Sequence, residues 1–198
     1  MFLLTRWRVT GKENIPGDGP LLIVVNHLSL ADPPVIGTSI NRKAIFLAKE
    51  ELFRSGLSRY IVRGLGAFPV RRGRVNREAM RKAEQLLAQG MALIMFPEGR
   101  RSQGGQLEPA FSGAALIACR NHVPVLPIGI TGTEKLKSIA RLIRRPKVTV
   151  NIGHPFYLPR MDGKLTRSML VELTHSIMEH IAELLPAEYR GNYTSHQS

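Results

Sequence analysis

The sequence is poor in features that would cross-link, anchor or specialise it. A single cysteine, Cys119, stands among 198 residues, so no intramolecular disulfide can form; a reducing compartment fits, and Cys119 reads as a small core residue. No run approaches the roughly 20 apolar residues that a bilayer-spanning helix needs. The opening Met1-Phe2-Leu3-Leu4 is broken by Arg6 and Arg8, and would be the stub of a longer apolar helix only if the true start lay upstream. Aromatic residues make up 6% of the chain and no run interleaves them with Lys or Arg as single-strand binders do, which argues against a single-stranded nucleic-acid binder. Ser29 lacks the glycine-flanked elbow of a nucleophilic serine, so no covalent acyl-enzyme is expected. Glu172 and His175 have a metal-site spacing but too few companion ligands, and no metal is expected. Negative charge is scarce as well: 15 Asp and Glu face 28 Lys and Arg, for a net charge of +13. The partner must be anionic, whether lipid head groups, nucleic acid or cofactor phosphates.

What is present is a chain long enough, at 43% hydrophobic content, for one buried core, and it reads as a single domain over 1–198. Short apolar runs alternate with helical patterns, the signature of an α/β domain with a largely parallel mixed sheet flanked by helices. Strands are expected near 21–25, 43–47, 67–70, 92–96, 123–130 and 147–152, with helices near 34–40, 50–64, 77–89, 112–121, 134–145 and 166–185. Asn76 serves as the cap of the helix over 77–89 and Gly90 as its stop. Residues 191–198 are polar and expected to fray.

Three of these strands end in chemistry. After Leu21-Leu22-Ile23-Val24-Val25 comes Asn26-His27-Leu28-Ser29-Leu30-Ala31-Asp32, an imidazole and a carboxylate five residues apart. Pro33 and Pro34 force a turn and a helix restart that bends Asp32 back toward His27. A histidine with a carboxylate on its far nitrogen is a general base at neutral pH, although in isolation such a pair is more often a structural turn. After Ala92-Leu93-Ile94-Met95 comes Phe96-Pro97-Glu98-Gly99-Arg100-Arg101-Ser102, and the third segment is Gly66-Ala67-Phe68-Pro69-Val70-Arg71-Arg72-Gly73. Both place paired guanidinium forks beside a glycine, which suits a phosphate or carboxylate ligand. Pro97 and Pro127 read as setters of loop geometry, and His122, His154 and His180 as surface or capping residues.

Together and in this order, with Val123-Pro124-Val125-Leu126-Pro127 as a fourth block, these segments resemble the 1-acyl-sn-glycerol-3-phosphate (lysophosphatidate) acyltransferase family of glycerolipid acyltransferases. The likeness runs from about Val9 to Leu184-Leu185-Pro186-Ala187-Glu188-Tyr189-Arg190-Gly191. It implies His27 as general base, Asp32 as its orienting partner, and Arg72, Glu98 and Arg101 around the acceptor phosphate and glycerol, with Gly99 letting the backbone close on the phosphate. Arg100 stands where the family usually has Thr, and Arg71 where many members have an acidic or polar residue. Both add positive charge at the rim and bear on which acceptor fits.

The chemistry implied is direct transfer of a fatty acyl group from acyl-CoA or acyl-carrier-protein, as donor substrate and not resident cofactor, to the free hydroxyl of a lysophospholipid acceptor. Acceptors such as glycerol-3-phosphate or another lysolipid, and a thioesterase using the same His–Asp pair, remain the alternatives; a non-catalytic basic binding module is a third. An anionic membrane surface is the expected partner and nucleic acid is not, with the protein peripheral on the cytoplasmic face. In 134–145, Leu136, Ile139, Ala140 and Ile143 share one helical face while Lys137, Arg141, Arg144 and Arg145 gather on another. That pattern fits a helix lying in a lipid interface and equally a surface helix with its apolar side on the core.

Overall fold

The computed structural model describes residues 6–49, 56, 59, 64, 68–70, 77–137, 145–160 and 163–193. Seven strands, β1 Arg6–Thr10, β2 Leu21–Val25, β3 Ala44–Lys49, β4 Phe68–Val70, β5 Ala92–Met95, β6 Val125–Thr131 and β7 Lys147–Ile152, form one sheet in the order β1-β7-β6-β2-β5-β3-β4. Five neighbouring pairs run parallel and only β6 and β7 run antiparallel, so the sheet is the largely parallel mixed one expected. Helices α1 Asp32–Ser39, α2 Arg77–Ala88, α3 Gly113–Asn121 and α4 Arg167–Glu183 cover its faces.

β2 lies at the centre, parallel to β5 on one side and to β6 on the other, and none of its five side chains is exposed. A strand buried on both faces reads as an unbroken apolar run because neither face meets water. Leu22 and Val24 join the core formed with α2, α3 and α4, while Leu21, Ile23 and Val25 join the one that receives Val35 and Ile36 of α1. Each such side chain contributes about 1.5–3 kcal/mol on burial, so β2 anchors the centre of the sheet. Cys119 is buried in the first core, as expected of a small core residue, and burial pushes its thiol up.

Four expectations change. β1 was not foreseen: Arg6 and Arg8 alternate with Trp7 and Val9, exposed and half-buried in turn, the period-two pattern of an edge strand pairing with β7. Pro127 sits inside β6 and not in a loop. Its carbonyl accepts from Gly153 N–H at 2.9 Å, and the side on which it lacks a donor precedes the β6–β7 ladder, which starts at Ile128 opposite Ile152. The stretch expected as a helix over 134–145 begins as a 3-10 turn, Thr133–Lys137, with Leu136 packed on the core. At Arg145 the backbone is left-handed, with φ 45°, directly before Pro146. Ile139, Ala140, Arg141, Ile143 and Arg144 of that stretch lie outside the described residues, as do the expected helix over most of 50–64, the cap Asn76 and the opening Met1–Leu4. Nor do residues 191–193 fray: Tyr193 packs on the core, and its N–H donates to Arg190 O at 3.1 Å.

Candidate active site

Parallel strands deliver their carboxyl ends to the same side of a sheet, and the loops after β2, β5 and β6 therefore meet. Asn26, the first residue past β2, is buried and uses its amide as an extra rung: Nδ2 donates to Ile130 O at 2.9 Å, and Ile130 N–H donates back to Oδ1 at 2.7 Å. At about 1 kcal/mol each, these bonds tie the β2 exit to β6 before the chain leaves the sheet. His27 follows with its backbone held from both ends, its N–H donating to Glu98 Oε1 at 2.9 Å and its carbonyl accepting from Ser102 N–H at 2.7 Å. Its ring stacks on Phe96, with centroids 4.2 Å apart.

The turn that Pro33 and Pro34 enforce brings Asp32 back as expected. The two prolines occupy the first turn of α1, where backbone donors would be unpaired in any case, and Asp32 opens the helix. His27 Nδ1 lies 2.8 Å from Asp32 Oδ2, which also accepts from Leu28 N–H at 2.6 Å and Ser29 N–H at 2.7 Å. Oδ1 accepts from the hydroxyl of Thr133. The carboxylate is fully buried with donors on both oxygens, whereas the His27 side chain keeps 16% of its surface in solvent. Since an ionised carboxylate only accepts, its contact places the imidazole proton on Nδ1 and leaves Nε2 free to take another. Ser29 is buried, and its hydroxyl accepts from Ala31 N–H at 3.3 Å.

Glu98 is 1% exposed. Oε1 accepts from His27 N–H and Oε2 from Glu108 N–H at 2.9 Å, so one carboxylate fastens the loop after β5 to the loop after β2. Burial pushes it from an ordinary 4.5 up to about 7; the two backbone donors pull it down, and the charges of Glu108 and Asp32 raise it further. The role expected of Glu98 was to orient the glycerol end of the acceptor; the contacts it makes here are to the backbones of the two loops. With both oxygens engaged and the side chain out of solvent, it holds the loop that bears His27 in place. Gly99 takes a left-handed φ of 64°, and a Cβ there would stand 2.9 Å from the Phe111 ring. Arg101 is exposed and directly precedes Ser102, whose N–H clasps His27. Arg100 pairs with Glu108 at 2.7 Å, so part of the additional rim charge is already countered. Arg71 and Arg72 lie outside the described residues.

The other histidines among the described residues have their contacts elsewhere. His122 closes α3 in a left-handed conformation, His154 is exposed, and His180 stacks on Phe156 and bonds to Ser176 O. His175 faces Glu179 at 3.4 Å and not Glu172. Among the described residues no three His, Cys, Asp or Glu side chains converge as metal ligands. Thr133 was missed at the sequence level, having no motif around it and lying 101 residues from its partner. Asn26 and Phe96 sat inside quoted motifs but carried no assigned role; both act on where His27 stands.

Against known proteins, the acyltransferase family model matches residues 6–131, well over half of the chain. The chain belongs to the acyltransferase family. The crystal structure of the 1-acyl-sn-glycerophosphate (LPA) acyltransferase PlsC from Thermotoga maritima superposes with a TM-score of 0.69 at 30% identity, covering 92% of this chain and 72% of that one. The 1-acyl-sn-glycerol-3-phosphate acyltransferase of Bacillus subtilis is 27% identical over 89% of this chain and 87% of its own. The chloroplastic 1-acyl-sn-glycerol-3-phosphate acyltransferase BAT2 of Brassica napus is 30% identical over 78% of this chain. The chain spans 46% of the length of that chloroplastic relative.

Proposed function

We propose that this chain transfers a fatty acyl group from an acyl thioester to the free hydroxyl of 1-acyl-sn-glycerol-3-phosphate, forming phosphatidate. The observation that carries the reading is the His27–Asp32 contact of 2.8 Å, with a buried, fully bonded carboxylate behind an imidazole that still reaches solvent. Relatives named 1-acyl-sn-glycerol-3-phosphate acyltransferases supply the choice of acceptor.

In this mechanism the acceptor hydroxyl gives its proton to His27 Nε2 while its oxygen attacks the thioester carbonyl. The tetrahedral intermediate collapses, the C–S bond breaks, and the proton on Nε2 passes to the departing thiolate. Asp32 stabilises the imidazolium formed between the two transfers. Base catalysis of this kind contributes roughly 100- to 10,000-fold, and the remainder comes from holding the hydroxyl in line. Arg72 and Arg101 take the acceptor phosphate and Gly99 lets the backbone approach it, while Glu98 keeps the His27 loop in register. The donor is acyl-CoA or acyl-carrier-protein. The net charge of +13 favours an anionic lipid surface, on which both acceptor and product reside, and supports peripheral docking at the cytoplasmic face of the membrane. Among the described residues no helix is long and apolar enough to cross a bilayer.

The test is to incubate the purified protein with each labelled acyl thioester and a panel of glycerol phosphates and lysolipids, identifying products by mass. Phosphatidate formed by the wild type and lost in folded His27→Ala protein is the expected result. Release of free fatty acid with no acylated acceptor would make it a thioesterase. Full activity in folded His27→Ala protein would remove the general base from the mechanism.

A further inference from the structure

Asp32 Oδ2 is shared by three N–H donors, those of His27 Nδ1, Leu28 and Ser29, whereas Oδ1 has one partner, Thr133. Asp32 and Thr133 are both 0% exposed, so water cannot replace that hydroxyl. A buried carboxylate oxygen left without a donor is costly, and turning the carboxylate to relieve it would carry Oδ2 off the imidazole.

The chain also takes trouble to put Thr133 there. It follows β6 directly through Gly132, whose φ is 85° and where a Cβ would overlap the Lys147 carbonyl oxygen, so only glycine fits the turn. Gly132 O accepts from Lys135 N–H at 3.2 Å, and the next side chain, Glu134, accepts from the Tyr189 hydroxyl at 2.9 Å. Burial and that bond push Tyr189 up to about 12. The C-terminal segment thus braces the residue beside Thr133. Thr133 lies beyond residues 6–131, the stretch matched by the family model, and beyond the four motif blocks.

We propose that Thr133 is a positioning residue of the acyl-transfer site, its hydroxyl holding Asp32 Oδ1 so that Oδ2 stays aimed at His27 Nδ1. The inference rests on the acyl-transfer reading above. Thr133 touches neither substrate nor the reacting atoms; it acts through Asp32 and then through His27, as the outer partner of a histidine–carboxylate pair.

The test compares the full-length wild type with Thr133→Val, which keeps the shape and removes the donor, and with Thr133→Ser, which keeps the donor. Two quantities are read: steady-state transfer from oleoyl-CoA or oleoyl-acyl-carrier-protein, whichever the wild type uses, to lysophosphatidate, and the low-field signal of the His27 Nδ1 proton in nitrogen-15 histidine-labelled protein. In Thr133→Val, kcat should fall roughly ten- to hundredfold, the loss expected for a hydrogen bond to a charged group. Both KM values should stay within about twofold, because no substrate contact is removed. The Nδ1 proton signal should move, and Ser should restore both signal and kcat. A purely structural role predicts thermal destabilisation without that split and without rescue. Wild-type kcat in folded Thr133→Val, or a Ser variant no better than Val, would overturn the proposal. If Val does not fold, Thr133→Ala replaces it; if neither folds, the hydroxyl holds the fold and not the pair, and the assignment falls. A wild type that transfers no acyl group would end the functional reading instead, and an unmoved Nδ1 signal in the Val variant would then overturn the inference by itself.

Discussion

Glu98 is the residue whose replacement tests the architecture of the site most directly. Its carboxyl is raised from 4.5 to about 7 because burial outweighs the two backbone bonds it accepts. An acid with a raised folded-state value binds its proton more tightly when folded, so between these values the native chain holds more protons than the unfolded one. Stability from this group is therefore fully present below about pH 4.5 and is lost as pH rises through 7, the reverse of the usual paired carboxylate. At about 1.4 kcal/mol per pH unit, the wild type should lose about 2–3 kcal/mol from this group between pH 5 and pH 8. Glu98→Gln cannot titrate and should lose none of it. The substitution has its own cost: an amide accepts through oxygen only, so one of the His27 and Glu108 N–H groups is left without an acceptor, at about 1–3 kcal/mol. Near pH 8 removal of the buried charge and loss of the bond should roughly cancel, and at pH 5 the variant should be the weaker protein. Urea unfolding of both proteins at pH 5, 6, 7 and 8 measures the difference. A gap between them that stays constant with pH, or that widens in the wild type's favour as pH rises, would show that Glu98 does not titrate in this way. Activity offers an independent check, since loosening the His27 loop should lower kcat even where stability is unchanged.

Asp32→Asn should lower kcat by roughly a thousandfold or more, because an amide in place of the carboxylate favours the wrong imidazole tautomer; stopped assays beside thermal melts separate this from misfolding. Arg101→Ala, and equally Arg72→Ala, should raise the acceptor KM at least about tenfold with little change for the donor, and Lys should rescue only in part. A rise confined to the donor KM would mean that these arginines read the donor's phosphates. Gly99→Ala should cost about 1–2 kcal/mol by thermal or urea melting, because a left-handed φ of 64° and the Phe111 ring both oppose a Cβ; an unchanged melt would show that the loop relaxes freely. Binding to vesicles should require anionic lipid and weaken as salt rises to physiological strength, where charges are screened over about 8 Å. Equal sedimentation with neutral vesicles would assign the attachment to apolar contacts.

Features set by a few consecutive residues are legible in the sequence. The apolar run of β2 could only be a strand buried on both faces, and it is one, over the expected residues. His27 and Asp32 meet because Pro33 and Pro34 act locally, on the turn between a strand end and a helix start. Helices α2, α3 and α4 fall within a few residues of their expected bounds, since 3.6-residue periodicity and stop signals such as Gly90 are also local.

What depends on register across the sheet is not legible there. The period-two signal in β1 spans only five residues, three of them exposed, and becomes a strand through pairing with β7, some 140 residues away. Pro127 looks like a loop residue until the offset start of the β6–β7 ladder leaves its missing donor without consequence. The motif containing Glu98 could not reveal that its carboxylate faces inward, because that follows from the loops after β2 and β5 converging on one side of two parallel strands. Thr133 is the extreme case: a residue with no local pattern, made a partner of Asp32 by the single glycine that turns the chain at the end of β6. Runs of a few residues thus specify the central strands, the histidine and its carboxylate, since each of these is a local instruction to the backbone. The groups that surround the pair come from the tertiary fold alone, because strand order and register, and not proximity along the chain, choose the neighbours of a buried side chain.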